Sequence, residues 1–364
     1  MLERPHNKEK SCRFLFCFKK GEIDLNILVT GGCGFQGSHL VETLLKDGHY
    51  VRILNTPSLA AKVNYSRYLE DKKNLNVVWG SVVDNYLVDI CMKDIEVVFH
   101  LGAKVNVDES FQAPLDFFNI NIKGTDNVCA SAAERRIKLI FGSSCECYGS
   151  NMYGDVNILE SVKKYNAKLN FISTAAVYGI GSMFKMNEWH PLMPASPYAA
   201  TKASADRLCY SYYKTYGLDV KIVRPFNIFG PRQKRSGFGA VIPIFFEKAL
   251  LDDKLVIYGD GKQTRDYLYV TDIVNAYKLI METKEFTGKA VNVGSGTEIS
   301  INQIAEKICE LLNVPRKRIQ HIHDRPGEVN SFIADTTFIE QYGFKPTVSF
   351  DDGLKKYLDW RLKL

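Results

Sequence analysis

An apolar run, Ile27-Leu28-Val29, passes directly into Thr30-Gly31-Gly32-Cys33-Gly34-Phe35-Gln36-Gly37 and then into a helix-length stretch from Ser38 to Gly48. This strand–turn–helix signature constrains the fold more than any other feature of the chain. The spacing G-x-x-G-x-x-G at 31, 34 and 37 lets the backbone approach a pyrophosphate closely, and the helix start supplies amide donors and a favourable dipole. It is not a P-loop: Gly32 and Gly37 have that spacing, but Ser38-His39 follows where Lys-Ser/Thr is required. Further apolar runs at Tyr50 to Leu54, Asn76 to Trp79, Glu96 to Leu101 and Val220 to Val223 alternate with amphipathic, helix-length segments. Such alternation predicts an α/β fold, a doubly wound parallel sheet with helices on both faces.

The chain has 364 residues, enough for two domains. We expect a dinucleotide-binding domain over 25–226 and a smaller α/β substrate domain over 227–364. Gly, Pro and short elements become frequent in the latter. The formal net charge is +6, from 47 Lys plus Arg against 41 Asp plus Glu. Basic residues form only short clusters, such as Lys19-Lys20 and Arg232 to Arg235, too sparse for a nucleic-acid binder. The nine cysteines form no regular framework, which fits a reduced, cytoplasmic setting. Cys145-x-Cys147 and His321-x-His323 lack second pairs at zinc spacing, so no metal is expected. No apolar run is long enough to span a bilayer, and residues 1–24 read as an extension without a signal-peptide cleavage site.

Residues 121–149 and 151–179 align without gaps, with ten of 29 positions identical. The matches include Asn121/Asn151, Gly124/Gly154, Ser143/Ser173, Tyr148/Tyr178 and Gly149/Gly179. Each copy reads as a helix, a strand and a Ser-containing turn ending Tyr-Gly, a duplicated helix–strand unit. Two copies are too few for a solenoid.

Tyr198-x-x-x-Lys202 places a phenol and an ammonium on one face of a helix. A neighbouring cation favours the phenolate, which makes Tyr198 usable as a general acid/base near neutral pH. Thr174, at the end of the strand-like run upstream, offers a hydroxyl to share a substrate oxygen. At the end of the second strand an acidic residue normally holds the adenosine ribose. Asn55 stands there instead. No arginine follows closely, so NAD is expected as the cofactor, with NADP left open by the neutral side chain.

Taken together, these motifs make the chain resemble an extended short-chain dehydrogenase/reductase of the NAD-dependent nucleotide-sugar epimerase/dehydratase family, similar to UDP-glucose 4-epimerases. The resemblance rests on Thr30 to Gly37, His100-Leu101-Gly102-Ala103, Asn121 before Gly124-Thr125, Ser173-Thr174 with Val177-Tyr178-Gly179, and Tyr198/Lys202. It continues through Arg224 to Arg232, Gly261 to Tyr267 and Arg325 to Glu328, and so spans nearly everything from Asn26 to Trp360. It implies a catalytic set of Thr174, Tyr198 and Lys202. It implies cofactor contacts from Gly31, Gly34, Phe35, Gln36, Gly37, Asn55, Leu101, Ala103, Asn121, Lys202 and Pro225. Asn227, Arg265 and Arg325 would hold the diphosphate of a nucleotide sugar, with Tyr258 near the base. A homodimer is also implied.

Two departures matter. Asn55 replaces the family's Asp, and Ser81 stands where an adenine-contacting Asp is common. The duplication further offers two strand ends, Ser143-Ser144-Cys145-Glu146 and Ser173-Thr174-Ala175-Ala176, where the family has room for one. By spacing, the outer halves look native and roughly 137–165 looks inserted, which assigns catalysis to Thr174. With no carboxylate after Thr174, simple 4-epimerisation through a transient keto sugar is expected. If Ser144 lay in the site instead, Glu146 would suit a decarboxylase or 4,6-dehydratase. A catalytically silent nucleotide-sugar binder is the remaining alternative.

Overall fold

A computed structural model of the chain describes residues 24–68, 73–142, 185–194, 196–235, 239–323 and 331–364. The strands are β1 (Asn26–Thr30), β2 (Tyr50–Asn55), β3 (Leu75–Trp79), β4 (Val97–His100), β5 (Lys138–Gly142), β6 (Val220–Pro225), β7 (Asn227–Phe229), β8 (Leu255–Tyr258), β9 (Thr264–Arg265), β10 (Tyr267–Tyr269), β11 (Lys289–Val293), β12 (Ile299–Ser300), β13 (Ile319–Ile322) and β14 (Ser331–Phe332). The helices are α1 (Phe35–Lys46), α2 (Leu59–Ser66), α3 (Asn85–Cys91), α4 (Val107–Gln112), α5 (Pro114–Phe117), α6 (Gly124–Glu134), α7 (Pro197–Tyr216), α8 (Val241–Leu250), α9 (Val270–Glu282), α10 (Ile301–Leu311), α11 (Thr337–Glu340) and α12 (Phe350–Arg361).

Seven strands form one parallel sheet in the order β11-β6-β5-β4-β1-β2-β3. Its central strands are buried on both faces: Ile27, Leu28, Val29, Val98, Phe99, Leu139, Ile140 and Phe141 are fully inaccessible. That burial explains why they read as continuous apolar runs rather than alternating ones. The chain winds outward from β1 in both directions, and the strand order reverses between β1 and β4. Ligand crevices open at the carboxyl ends of strands at such a point.

The C-terminal half is made of short pieces: the pairs β10-β7 and β13-β8 and the three-stranded β12-β9-β14. One strand from beyond the expected boundary at 226/227 joins the main sheet. β11 returns to pair with β6 at the edge of the main sheet. The preceding α9 packs on α1, with Tyr277 donating to Gln36 and Lys278 paired with Asp47. The apolar face of 270–293 is what draws it back, since Ile273, Ala276, Tyr277, Ile280, Val291 and Val293 are buried.

The described part of the first copy, 121–142, is a helical stretch followed by β5. The placement of β5 corrects the reading of 137–165 as an insertion at 138–142, while 143–165 lie outside the described residues. Lys138–Gly142 pairs with β4 on one side and β6 on the other, with Leu139, Ile140 and Phe141 in the core. The slot between β4 and β6 is thus held by the first copy's strand. The second copy, and with it Thr174, lies outside the described residues, as do Ser144, Glu146, Arg325 and residues 1–23. No helix among the described residues is long and apolar enough to cross a membrane.

Candidate active site

The glycine turn is shaped by its own packing. Gly31 has φ +71°, and a Cβ there would lie 2.8 Å from the amide nitrogen of Gly102. A Cβ on Gly37 would sit 2.2 Å from the Gly31 carbonyl oxygen, so α1 closes on the turn only because Gly37 has none. Gly34 caps α1. A Cβ there would meet only the Gly31 oxygen, at 3.0 Å, which leaves the rest of its surroundings open. The first turn of α1, including Phe35 and Gln36, has no acidic residue, and Gly34 offers its amides no side-chain acceptor. An open glycine face beside uncapped amides fits a pyrophosphate.

Two asparagines grip the turn. Asn55, at the end of β2, accepts from the Cys33 amide at 3.1 Å, and the buried Asn64 of α2 donates to the Cys33 carbonyl at 2.9 Å. Asn64 carried no signal in the sequence, since its partner is a backbone atom 31 residues away.

The opposite wall is organised by a fully buried polar chain. Thr30 Oγ1 accepts from the Gly102 amide (3.1 Å) and lies 2.5 Å from His100 Nδ1. His100 Nε2 lies 3.2 Å from Thr125 Oγ1, which donates to the Asn121 carbonyl at 2.6 Å. With the Thr125 proton directed to Asn121, Nε2 of His100 donates and Nδ1 accepts from Thr30. Burial first, and the Lys202 ammonium second, hold the His100 pKa well below its usual value, so the ring is neutral. Sequence reasoning missed this role, because a histidine closing an apolar strand looks like an ordinary core residue.

Asn121 is the hinge of the wall. It sits in a π-helical turn, Phe118–Lys123, a distortion frequent at functional sites. Its side chain accepts from the Lys104 amide (2.8 Å) and donates to the Lys104 carbonyl (3.0 Å) and to Thr201 Oγ1 (3.1 Å). It therefore joins the loop carrying Leu101 and Ala103 to α7.

That helix presents Tyr198 and Lys202. Its start is fixed by Ser196, whose hydroxyl accepts from the Ala199 amide, and by Pro197 in the first turn; Gly217, at φ +66°, ends it. Tyr198, Lys202 and Asp206, four residues apart, share one face and are 0, 1 and 0% exposed. The Tyr198 ring meets Phe117 edge-on at 6.0 Å, and Lys202 Nζ lies 4.6 Å over the Phe141 ring, so the ammonium sits against the carboxyl end of β5. Asp206 receives Arg224 Nε of β6 at 3.1 Å, a buried ion pair that fixes the helix to the sheet. Arg224 Nη1 also donates to the Glu188 carbonyl, and Glu188 accepts from the Asn292 amide.

Pro225 ends β6, opposite Val293. Two residues on, Asn227 donates its amide to the Asp266 carbonyl at 3.0 Å. Arg265 adjoins Asp266, donates to the Thr264 carbonyl at 2.8 Å and lies over Phe332. Asn227 and Arg265 are thus brought together through Asp266, downstream of Pro225. Tyr258 ends β8, which pairs with β13; its carbonyl accepts from Gln263 Nε2 at 2.9 Å and its ring is edge-on to His323 at 6.4 Å.

Two arginines of the basic cluster Arg232 to Arg235 meet carboxylates within the chain. Arg232, at φ +73°, pairs with Glu42 and donates to Ser38, while Arg235 lies 3.5 Å from Glu247. Beside it His39 donates to the Pro231 carbonyl. Burial, aided by Arg232, pushes the His39 pKa down to about 4, so the ring that clasps α1 to the C-terminal half is neutral near pH 7.

The arrangement sets a glycine turn at the β1/β4 switch point and a buried phenol and ammonium on one face of α7. Comparison with known proteins agrees. Residues 27–153 match the model of the NAD dependent epimerase/dehydratase family, and residues 150–357 match that of GDP-mannose 4,6 dehydratase. The two matches meet between the two copies of the repeat. The chain is 33% identical to a putative UDP-glucose 4-epimerase of Methanocaldococcus jannaschii, over 92% of this chain and 97% of that one. It is also 33% identical to a UDP-N-acetyl-alpha-D-glucosaminuronate decarboxylase of Bacillus cytotoxicus, over 92% and 96%. Among solved structures, a dTDP-glucose 4,6-dehydratase of Streptomyces venezuelae with NAD bound superposes with a TM-score of 0.79 at 28% identity, covering 93% of this chain and 97% of that one.

Proposed function

Because the chain belongs to the NAD-dependent epimerase/dehydratase family of extended short-chain dehydrogenase/reductases, we propose that it is a nucleotide-sugar epimerase of the UDP-sugar 4-epimerase type. The observation that carries this reading is the placement of Tyr198 and Lys202, buried on one face of α7, beside Asn121 and the carboxyl end of the sheet. NAD, when bound, supplies a hydride acceptor and donor. Gly31, Gly34, Phe35, Gln36 and Gly37 would hold its pyrophosphate, Asn55 the adenosine ribose, and Leu101, Ala103, Asn121, Lys202 and Pro225 the remainder.

Tyr198 takes the proton from the sugar 4-hydroxyl as the carbon is oxidised to the keto form, and returns it after the sugar has presented its other face. Lys202, one helical turn along, favours the phenolate that this requires. The Thr174 hydroxyl hydrogen-bonds the same oxygen. Asn227, Arg265 and Arg325 hold the diphosphate, for which guanidinium groups are suited, and Tyr258 lies near the base. The apolar side chains Phe111, Leu115 and Phe118 are 60, 69 and 43% exposed along α4, α5 and the π-helical turn. A second copy of the chain would cover them, as a homodimer.

One observation favours a second reading. β5 belongs to the first copy, so the strand in the sheet leads toward Ser143-Ser144-Cys145-Glu146 rather than toward Thr174. Glu146 would then add a carboxylate acid/base, as a decarboxylase or 4,6-dehydratase needs. Incubation with a panel of nucleotide sugars, with products identified by NMR and mass, separates the readings. Epimerisation leaves the mass unchanged; loss of water or carbon dioxide supports the second reading. Binding without turnover of any panel member would overturn both.

A further inference from the structure

At the end of the crevice that would receive the adenosine half of a dinucleotide, the residues closing β2 and following β3 are Asn55 and Ser81, neither of them a carboxylate. In a doubly wound sheet the side chain closing the second strand meets the adenosine ribose. An acidic residue there accepts the 2′-hydroxyl and repels a 2′-phosphate. Here that residue is Asn55, and its carboxamide is oriented by two bonds: Oδ1 accepts from the Cys33 amide at 3.1 Å and Nδ2 donates to the Thr56 carbonyl at 2.8 Å. The neighbouring strand ends the same way. The Gly80 amide donates to the Asn55 carbonyl at 3.0 Å, which sets Ser81 beside it at the same edge of the sheet. The Ser81 hydroxyl accepts from the Val83 amide at 3.2 Å. The next carboxylate, Asp84, is engaged in capping α3, accepting from the Leu87 amide at 3.1 Å.

The segment after Asn55 is equally permissive. Thr56, Pro57 and Ser58 are exposed and lead into α2, whose first turn contains no acidic residue and whose N-terminal dipole favours negative charge. Neutral side chains thus stand at the ends of two adjacent strands, with an exposed segment and a helix start beside them.

Resting on the dinucleotide reading above, we propose that this site accepts the 2′-phosphorylated dinucleotide NADP as well as NAD. Isothermal titration of the full chain, freed of co-purifying nucleotide, tests it with each dinucleotide separately. The dissociation constants are expected to lie within about tenfold of each other, and Asn55→Asp is expected to shift the preference toward NAD by about tenfold or more, since the carboxylate restores the repulsion. Ser81→Asp, which leaves the grip on Cys33 intact, should shift it in the same direction. NADP binding more than about tenfold weaker than NAD in the unaltered chain overturns the inference, as does an unchanged preference in both variants. NAD binding with NADP excluded sinks this inference alone. Binding of neither sinks the dinucleotide reading with it.

Discussion

The two halves of the site are held in place by different means. On the cofactor side, positions are set by backbone: β1, β2, β4 and β6 end at the crevice in one continuous parallel ladder with an apolar core on both faces. On the substrate side the strands have only two to four residues, and single buried carboxylates hold the loops. Asp266, wholly buried, accepts from the Ser295 amide and hydroxyl (both 2.7 Å), the Gly296 amide (2.9 Å) and the Ala334 amide (3.1 Å). Asp272, equally buried, accepts from Thr347 Oγ1 and the Val348 amide. A ladder spreads positional information over many residues, whereas a carboxylate hub concentrates it in one. The first half should therefore fail by steric intrusion and the second by loss of a single acceptor.

Neither failure matches the effect of removing the proposed acid/base. Tyr198→Phe should lower kcat by about 10²–10⁴-fold while leaving dinucleotide affinity and Tm near those of the unaltered chain. Steady-state kinetics alongside calorimetry check it, and near-normal turnover would refute the assignment.

The hub comes next. Asp266→Ala strands three backbone amides in the interior and should cost about 3 kcal/mol or more of stability. KM for the nucleotide sugar should rise more than the dissociation constant of NAD, because Asn227 and Arg265 flank the hub. Equal losses at both ligands would erase the contrast between the halves.

Gly37→Ala probes the ladder side. A Cβ placed 2.2 Å from the Gly31 oxygen forces the turn open, at about 1–3 kcal/mol. Here the order should invert: NAD affinity falls sharply and sugar KM, measured at saturating NAD, changes little.

The smallest effect is expected at the seam. Burial pushes the Glu188 carboxyl up to about 7, against its hydrogen bond from Asn292 and the nearby Arg224 charge. A pKa raised on folding contributes stability that is complete below the ordinary carboxylate value and is lost as pH rises through about 7. Relative to Glu188→Gln, the unaltered chain should thus lose on the order of 1–2 kcal/mol between about pH 5 and 8. Parallel pH profiles of the two proteins, read by chemical denaturation, would show no divergence if the carboxyl were ordinary.

The contrast also explains what the sequence disclosed. Ile27 to Gly37, Tyr50 to Asn55 and Tyr198/Lys202 were legible because strand burial, glycine spacing and helical periodicity are local signals. Another such local pattern is the capping box that Ser300 forms with Gln303 at the start of α10. The Thr30–His100–Thr125–Asn121 chain, the Asn64 grip on Cys33 and the Asp266 hub were not. Each joins residues distant in sequence, and each uses a polar side chain that composition cannot distinguish from a surface one. The place of Lys138–Gly142 in the sheet was not legible for a different reason. Lys138 to Phe141 and Lys168 to Phe171 share three of four residues, so local pattern suits both for the slot between β4 and β6. Spacing favours the second, whereas the sheet holds the first.

The central claim is that the carbon-bound hydrogen of a nucleotide sugar leaves as hydride and is returned to the same sugar while Tyr198 handles only the hydroxyl proton. Turnover of a substrate deuterated at C4, with the product analysed by NMR and mass, tests it most directly. Retention of deuterium in the product sugar, with a slower rate than the unlabelled substrate, is the predicted result. Exchange of the label into water would mean that the carbon is deprotonated instead, and would contradict the account.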